Sequence, residues 1–262
     1  MFKHLLNVSD LSKKDLNEIL DHASSFELKN SNCLINKNIG LIFEKSSTRT
    51  RISFQVGIRQ LGGNYIDIRF EELNLQRFES YEDTFEIMSC YLDCLVFRTT
   101  DHKKLTLAQE YFKKPIINAL SDVSHPCQAI SDIFTLYQHF GKNINLNIIW
   151  MGDINNVLFS LIEIINLIDN VKLDIFTDKE IYIENKNIIP LNDQINIHFE
   201  LKDEIFKSAN CIMTDVFNSM NDKENKEPKL KNFQVNKKIM SLSPKAVFMH
   251  CLPAKIDSEV TL

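Results

Sequence analysis

What most constrains this chain is an alternation. Short apolar runs recur between stretches with helical periodicity, and strands that alternate with helices pair in parallel. In the first half, Ile39 to Phe43, Asn64 to Phe70, Cys94 to Arg98 and Pro115 to Leu120 read as strands. In the second, Asn145 to Met151, Lys172 to Phe176, Ile195 to Phe199, Cys211 to Asp215 and Ala246 to His250 do. Leu16, Ile19, Leu20, Ala23 and Phe26 fall on one helix face, behind a capping box at Ser12 and Asp15. Further helices are expected over Arg49 to Leu61, Tyr81 to Tyr91, Lys103 to Phe112, Pro126 to Phe140 and Asn155 to Ile168. Gly62 and Gly63 stop the first of these. Gly141-Lys142-Asn143 ends the long helix and marks the domain boundary, giving residues 1–140 and 141–262. Met220 to Lys231, charged and rich in asparagine, reads as a loop and a candidate lid.

Composition removes several function classes. The 262 residues include only six glycines, and neither GxGxxG nor GxxxxGK[ST] occurs. Glycine-loop nucleotide binders are therefore excluded. The net charge is −5 and no basic stripe exists, which argues against nucleic acid as a partner. No apolar run approaches the ~18 residues of a spanning helix, and the N-terminus has no signal-peptide pattern. No membrane partner and a cytoplasmic location are expected. The six cysteines are scattered; Cys90 and Cys94 lack the second pair of a zinc site. Reduced thiols are expected, with no metal and no cofactor.

The chemistry gathers at strand-to-helix turns. Ser46-Ser47-Thr48-Arg49-Thr50-Arg51 lies where a strand gives way to a helix. Amides at a helix start attract an anion, hydroxyls add donors, and an arginine fork suits phosphate. It is a phosphate cradle that needs no glycine loop. Arg98 ends a strand, the place where open α/β sheets bind ligands. His125-Pro126-Cys127-Gln128 puts an imidazole just before a helix start, with proline at a favoured position. Gly152-Asp153-Ile154-Asn155-Asn156 is another strand-to-helix turn. Thr214-Asp215-Val216-Phe217-Asn218-Ser219-Met220 and His250-Cys251-Leu252-Pro253-Ala254 each end a strand.

In this order the six motifs resemble the aspartate/ornithine transcarbamylase family, and the last three resemble its ornithine branch. The resemblance runs from about Phe2 to Thr261. It implies an α/β fold of two doubly wound domains, each a parallel sheet flanked by helices, joined by a long helix. The first domain is then expected to bind carbamoyl phosphate and the second ornithine. The implied activity transfers the carbamoyl group to the δ-amine of L-ornithine, giving L-citrulline and phosphate, in arginine metabolism. Ser47, Thr48, Arg49, Thr50, Arg98, His125 and Gln128 are the residues that the resemblance assigns to carbamoyl phosphate. Asn156, Asp215, Ser219, Met220, Cys251 and Leu252 are those that it assigns to ornithine. Arg49, Arg98, His125 and Cys251 are the implied catalytic set. A homotrimer is implied as well, with closure between domains.

The chain departs from the family pattern in places. Asn74-Leu75-Gln76-Arg77-Phe78-Glu79 replaces Gln-Leu-Gly-Arg-Gly-Glu, so no binding role passes to Asn74. Asn221 replaces the glycine of Ser-Met-Gly, and Lys255-Ile256-Asp257 replaces His-Arg-Gly. Family members continue past the position of Leu262 through a final return helix, which is expected to be absent here. Two competing readings follow: a truncated or degenerate homologue that binds ligand with little turnover, and a transcarbamylase for a related amine such as putrescine or N-acylated ornithine.

Overall fold

The computed structural model describes residues 3–26, 32–76, 79–187, 189, 192–218 and 224–261. The chain forms two compact units, residues 1–130 and 131–262. Each is built on a parallel sheet.

In the first unit the strands are β1 (Asn38–Phe43), β2 (Asn64–Ile68), β3 (Cys94–Arg98) and β4 (Ile116–Leu120). Their order across the sheet is β2-β1-β3-β4, all parallel. The helices are α1 (Lys13–Ser25), α2 (Arg49–Gln60), α3 (Tyr81–Tyr91) and α4 (His102–Tyr111). α1 begins at the expected capping box: Ser12 Oγ accepts from the Asp15 amide while Asp15 accepts from the Ser12 amide. Alternation within the strands feeds two cores. Leu41, Val96 and Ala119 pack with Ile58 of α2. Ile42, Leu95 and Phe97 pack with Phe85 of α3 and Leu105 of α4. Cover on both faces explains why the inner strands β1 and β3 are nearly apolar throughout, whereas the edge strand β2 carries exposed Asn64 and Asp67.

The helix α5 (Pro126–Phe140) crosses the boundary in sequence. The second unit holds β5 (Leu146–Met151), β6 (Val171–Phe176), β7 (Ile195–His198), β8 (Cys211–Thr214) and β9 (Val247–His250). Their order is β7-β6-β5-β8-β9, again parallel. Its helices are α6 (Asn156–Ile165), α7 (Lys179–Asn185), α8 (Asp203–Phe206), α9 (Glu227–Leu230) and α10 (Lys237–Leu242). α6 buries Leu158, Leu161, Ile162 and Ile165 against the sheet.

Some expectations need adjustment. β2 ends at Ile68 because Phe70 opens a 3-10 turn. Part of the expected loop from Met220 is helical, since Glu227–Leu230 form α9. Residues 219–223 lie outside the described residues. No helix among the described residues is long and apolar enough to cross a membrane.

In both sheets the first strand sits inside, so successive connections leave it in opposite directions. The switch points lie between β1 and β3, and between β5 and β8. Crevices at the carboxyl ends of such strand pairs are where open α/β sheets bind ligands.

Candidate active site

The first switch point collects the phosphate motif. β1 runs into Glu44, Lys45 and Ser46, and α2 starts at Arg49 with Thr48 as its N-cap. Thr48 itself has helical dihedrals, φ −76° and ψ −61°, and its side chain makes no cap. The partial positive charge of the helix start is therefore left for an outside anion. Thr48 and Arg49 are exposed, and Ser47 and Thr50 are half-buried. Arg51 is turned elsewhere, into an ion pair with Asp67.

Arg98 reaches this turn from β3. Its Nη1 donates to Ser47 Oγ at 3.0 Å. The β3–β4 register slips at this point, pairing Phe97 with Asn118 but Arg98 with Leu120. Such a bulge re-aims a side chain at the end of a strand. Leu120 pays with φ at +142°, unusual for a side-chain-bearing residue. Buried Asn118 secures the distortion: its Oδ1 accepts from the Leu120 amide, and its Nδ2 donates to the carbonyls of Leu6 and Ser124. A turn closed by the Ser121 amide on the Ser124 carbonyl, at 2.9 Å, then delivers His125.

His125 is 7% exposed. Burial, and then the Arg98 guanidinium, push its pKa down to about 3. The ring is accordingly neutral at physiological pH. Pro126 opens α5, and the Gln128 amide donates to the His125 carbonyl at 3.1 Å. Cys127 lies behind, its thiol donating to the Asn118 carbonyl and raised by burial to about 12. Ser47, Arg98 and His125 thus meet around one end of the sheet; Gln128 is half-buried one turn further on.

Sequence reasoning missed Glu44, whose side chain is only 6% exposed. It accepts from Thr99 Oγ1 at 2.8 Å and the Thr100 amide at 3.0 Å, and pairs with Lys104 Nζ at 2.6 Å. Burial raises its pKa, but Lys104 and the Thr100 and Thr99 donors outweigh that and hold it below the usual value. The available signal was a charged residue directly following an apolar strand.

The second switch point holds the other motifs. Gly152 leaves β5 with φ at +124°, and a Cβ there would stand 2.9 Å from the Phe217 ring. The glycine is needed for both dihedral and space. Asn155 caps α6, its Oδ1 accepting from the Val157 and Leu158 amides at 3.1 Å. Its Nδ2 donates to Asp215 Oδ2 at 2.8 Å. Cys251 Sγ donates to the other oxygen, Oδ1, at 3.0 Å. Asn156, the residue expected in the site, is the half-buried first residue of α6; Asn155 is the one bonded to Asp215.

Asp215 is 7% exposed. Burial, then the Asp215 carboxylate, push the Cys251 thiol far above its usual range. It remains a protonated donor and not a thiolate. Leu252 follows with φ +57° and is half exposed. Its amide donates to His250 Nδ1 at 2.8 Å, and His250 Nε2 meets the buried Glu259 at 3.3 Å. Asp215, His250 and Cys251 bring one potential ligand atom each within 4.8 Å of one another. In this structure those groups are engaged by hydrogen bonds: thiol to carboxylate, and imidazole between Leu252 and Glu259. Asp153, 1% exposed, pairs with Lys226 at 2.9 Å. Ser219 and Met220 lie outside the described residues.

Comparison with known proteins gives consistent matches over both units. The family model described as aspartate/ornithine carbamoyltransferase, carbamoyl-P binding domain, matches residues 3–138. Its companion, the Asp/Orn binding domain, matches residues 144–262. A protein named ornithine carbamoyltransferase from Acinetobacter baumannii (strain AYE) is 37% identical over 99% of this chain and 87% of the relative. One of the same name from Methanococcus aeolicus is 37% identical over 98% of this chain and 89% of its own length. Among solved structures, ornithine carbamoyltransferase from Burkholderia thailandensis superposes with a TM-score of 0.86 at 31% identity, covering 99% of this chain and 88% of that one. The Pyrococcus furiosus structure gives 0.84 at 32% identity, with 99% and 87% covered.

Proposed function

The chain belongs to the aspartate/ornithine carbamoyltransferase family, and from that premise we propose how its residues divide the work. The enzyme transfers the carbamoyl group of carbamoyl phosphate to the δ-amine of L-ornithine, giving L-citrulline and phosphate. The neutral amine attacks the carbamoyl carbon and a tetrahedral intermediate forms. The C–O bond to phosphate then breaks with its electron pair on the leaving oxygen, and the amine gives up a proton. The substrate brings its own nucleophile, so the protein's tasks are positioning and stabilisation of charge on oxygen.

Ser47, Thr48, Arg49 and Thr50 hold the phosphate, and Arg98 spans phosphate and carbonyl. The observation that carries this reading is the meeting of Arg98 with Ser47 beside a buried, neutral His125. A neutral imidazole donates to the carbamoyl oxygen without a proton to lose at neutral pH; Gln128 adds an amide. In the second unit Asn156, Asp215, Ser219, Met220, Cys251 and Leu252 bind ornithine, with Asp215 taking the ammonium. Cys251 positions the side-chain amine as a thiol, in keeping with its raised pKa.

We further propose carbamoyl-phosphate and ornithine domains at residues 1–140 and 141–262, a homotrimer, a cytoplasmic setting and a place in arginine biosynthesis. A colorimetric citrulline assay with both substrates tests the activity. Folded protein that yields no citrulline across a wide pH range overturns it; a panel including putrescine and N-acylated ornithine fixes the amine.

A further inference from the structure

We propose that Glu44 is a positioning residue for the phosphate half of the site, fixing Arg98 by gripping the two residues that follow it. The inference rests on the carbamoyl phosphate reading of the first unit.

The geometry is that of a clasp between adjacent strand ends. The Glu44 amide donates to the Arg98 carbonyl at 3.0 Å. One carboxylate oxygen then takes the Thr99 hydroxyl at 2.8 Å, the Thr100 amide at 3.0 Å and the Thr100 hydroxyl at 3.3 Å. The other takes Lys104 Nζ at 2.6 Å, from the first turns of α4. A single residue thus holds the backbone of Arg98 and both residues beyond it. On the far side of β3, the Thr99 amide donates to the Leu120 carbonyl at 3.1 Å, the point where the bulge shifts the register. Arg98 leaves the sheet between these two restraints.

Glu44 also lies three residues before Ser47, the residue to which Arg98 donates. Both ends of the Arg98–Ser47 contact therefore trace back to one residue: Arg98 through the Glu44 amide and carboxylate, and Ser47 through the short backbone that joins it to Glu44. A charge this buried is retained where its loss leaves several donors without a partner. Here the donors are an amide and two hydroxyls at the exit of the strand carrying Arg98. Lys104 keeps the carboxylate ionised and is itself set over the Phe70 ring at 4.9 Å.

The test uses the full-length chain as wild type, Glu44→Ala, Glu44→Gln and Lys104→Met. Initial rates are measured with each substrate varied, alongside calorimetric titration with inorganic phosphate. Misplacing a phosphate ligand by a fraction of an ångström is expected to raise the KM for carbamoyl phosphate about 30-fold in Glu44→Ala, with ornithine KM within about twofold of wild type. Glu44→Gln keeps an acceptor for Thr99 and Thr100 and recovers most of that loss, and phosphate affinity follows the same order. Unchanged carbamoyl phosphate KM in folded Glu44→Ala overturns the proposal. So does an equal rise in both KM values, which marks general loosening. Should Glu44→Ala fail to fold, Glu44→Gln and Lys104→Met decide: each is expected to raise carbamoyl phosphate KM about threefold, and no change in either overturns the role. A wild type that binds phosphate but makes no citrulline sinks the activity, and the phosphate titrations then judge Glu44 alone. A wild type that binds no phosphate overturns both.

Discussion

His125 ties protonation to both chemistry and stability. Its pKa is about 3 in the fold against 6.5 ordinarily, because burial and Arg98 oppose the charged ring. The folded state thus binds fewer protons than the unfolded one between these values. The stability this contributes is complete above pH 6.5 and drains away as pH falls towards 3. Unfolding free energy is expected to drop by about 1.4 kcal/mol per pH unit from this residue below pH 6. Urea denaturation at pH 7, 6 and 5 measures the slope, and His125→Asn is expected to flatten it by one proton. Arg49 is exposed, so Arg49→Ala is expected to leave the melting temperature unchanged. Loss of a charge-assisted phosphate ligand is expected to raise carbamoyl phosphate KM about 100-fold; saturation kinetics like wild type would refute the assignment. Asp257 stands where the resembled family keeps glycine, and it takes a left-handed φ of +68°. Aspartate tolerates that region better than most residues, so the turn survives without the glycine.

Elements show what was legible in the sequence. Inner strands such as β1, β3 and β5 were legible as apolar runs because both of their faces are covered, whereas the edge strands β2 and β9 are more exposed. The site-bearing turns were legible for a related reason: polar residues directly after a buried strand have little else to do. The helices α7, α8 and α10 passed unnoticed because seven, four and six residues are too few to display a 3.6-residue period. That Asn155 is bonded to Asp215 was not legible, since two adjacent asparagines read alike in sequence. Nor was the Glu44 clasp, whose partners lie more than fifty positions away in sequence. The bulge after β3 yields its own test. Asn118→Ala strips the Leu120 amide and two carbonyls of their partner, and is expected to destabilise the fold by about 2–4 kcal/mol. Chemical denaturation gives the number, and the carbamoyl phosphate KM should rise with it. In the second sheet, Gly152→Ala meets both a forbidden dihedral and the Phe217 ring, for an expected loss of about 3 kcal/mol.

At the scale of the molecule, one construction is used twice. Each unit places its first strand inside a parallel sheet, and the ligand-bearing turns leave at the switch. Each also buries an acid beside that switch and pairs it with a lysine: Glu44 with Lys104, and Asp153 with Lys226. The division predicts separable kinetics. Arg49→Ala should act on carbamoyl phosphate KM, and Asp215→Asn on ornithine KM by about 50-fold. The double variant should show the sum of the two binding losses, to within about 0.5 kcal/mol. Strong non-additivity in the titrated affinities would show that the two sets of residues share a ligand.

The thiol at Cys251 has a practical corollary. A cysteine held protonated by burial and a carboxylate is slow to alkylate, because reagents attack the thiolate. Cys127 and Cys211 are shielded by the same burial, whereas Cys33 and Cys90 are exposed. A maleimide probe at neutral pH is therefore expected to mark Cys33 and Cys90 first, as peptide mass mapping would register, and to leave citrulline production intact. The protein can thus carry a fluorescent reporter in its first unit with every native cysteine in place.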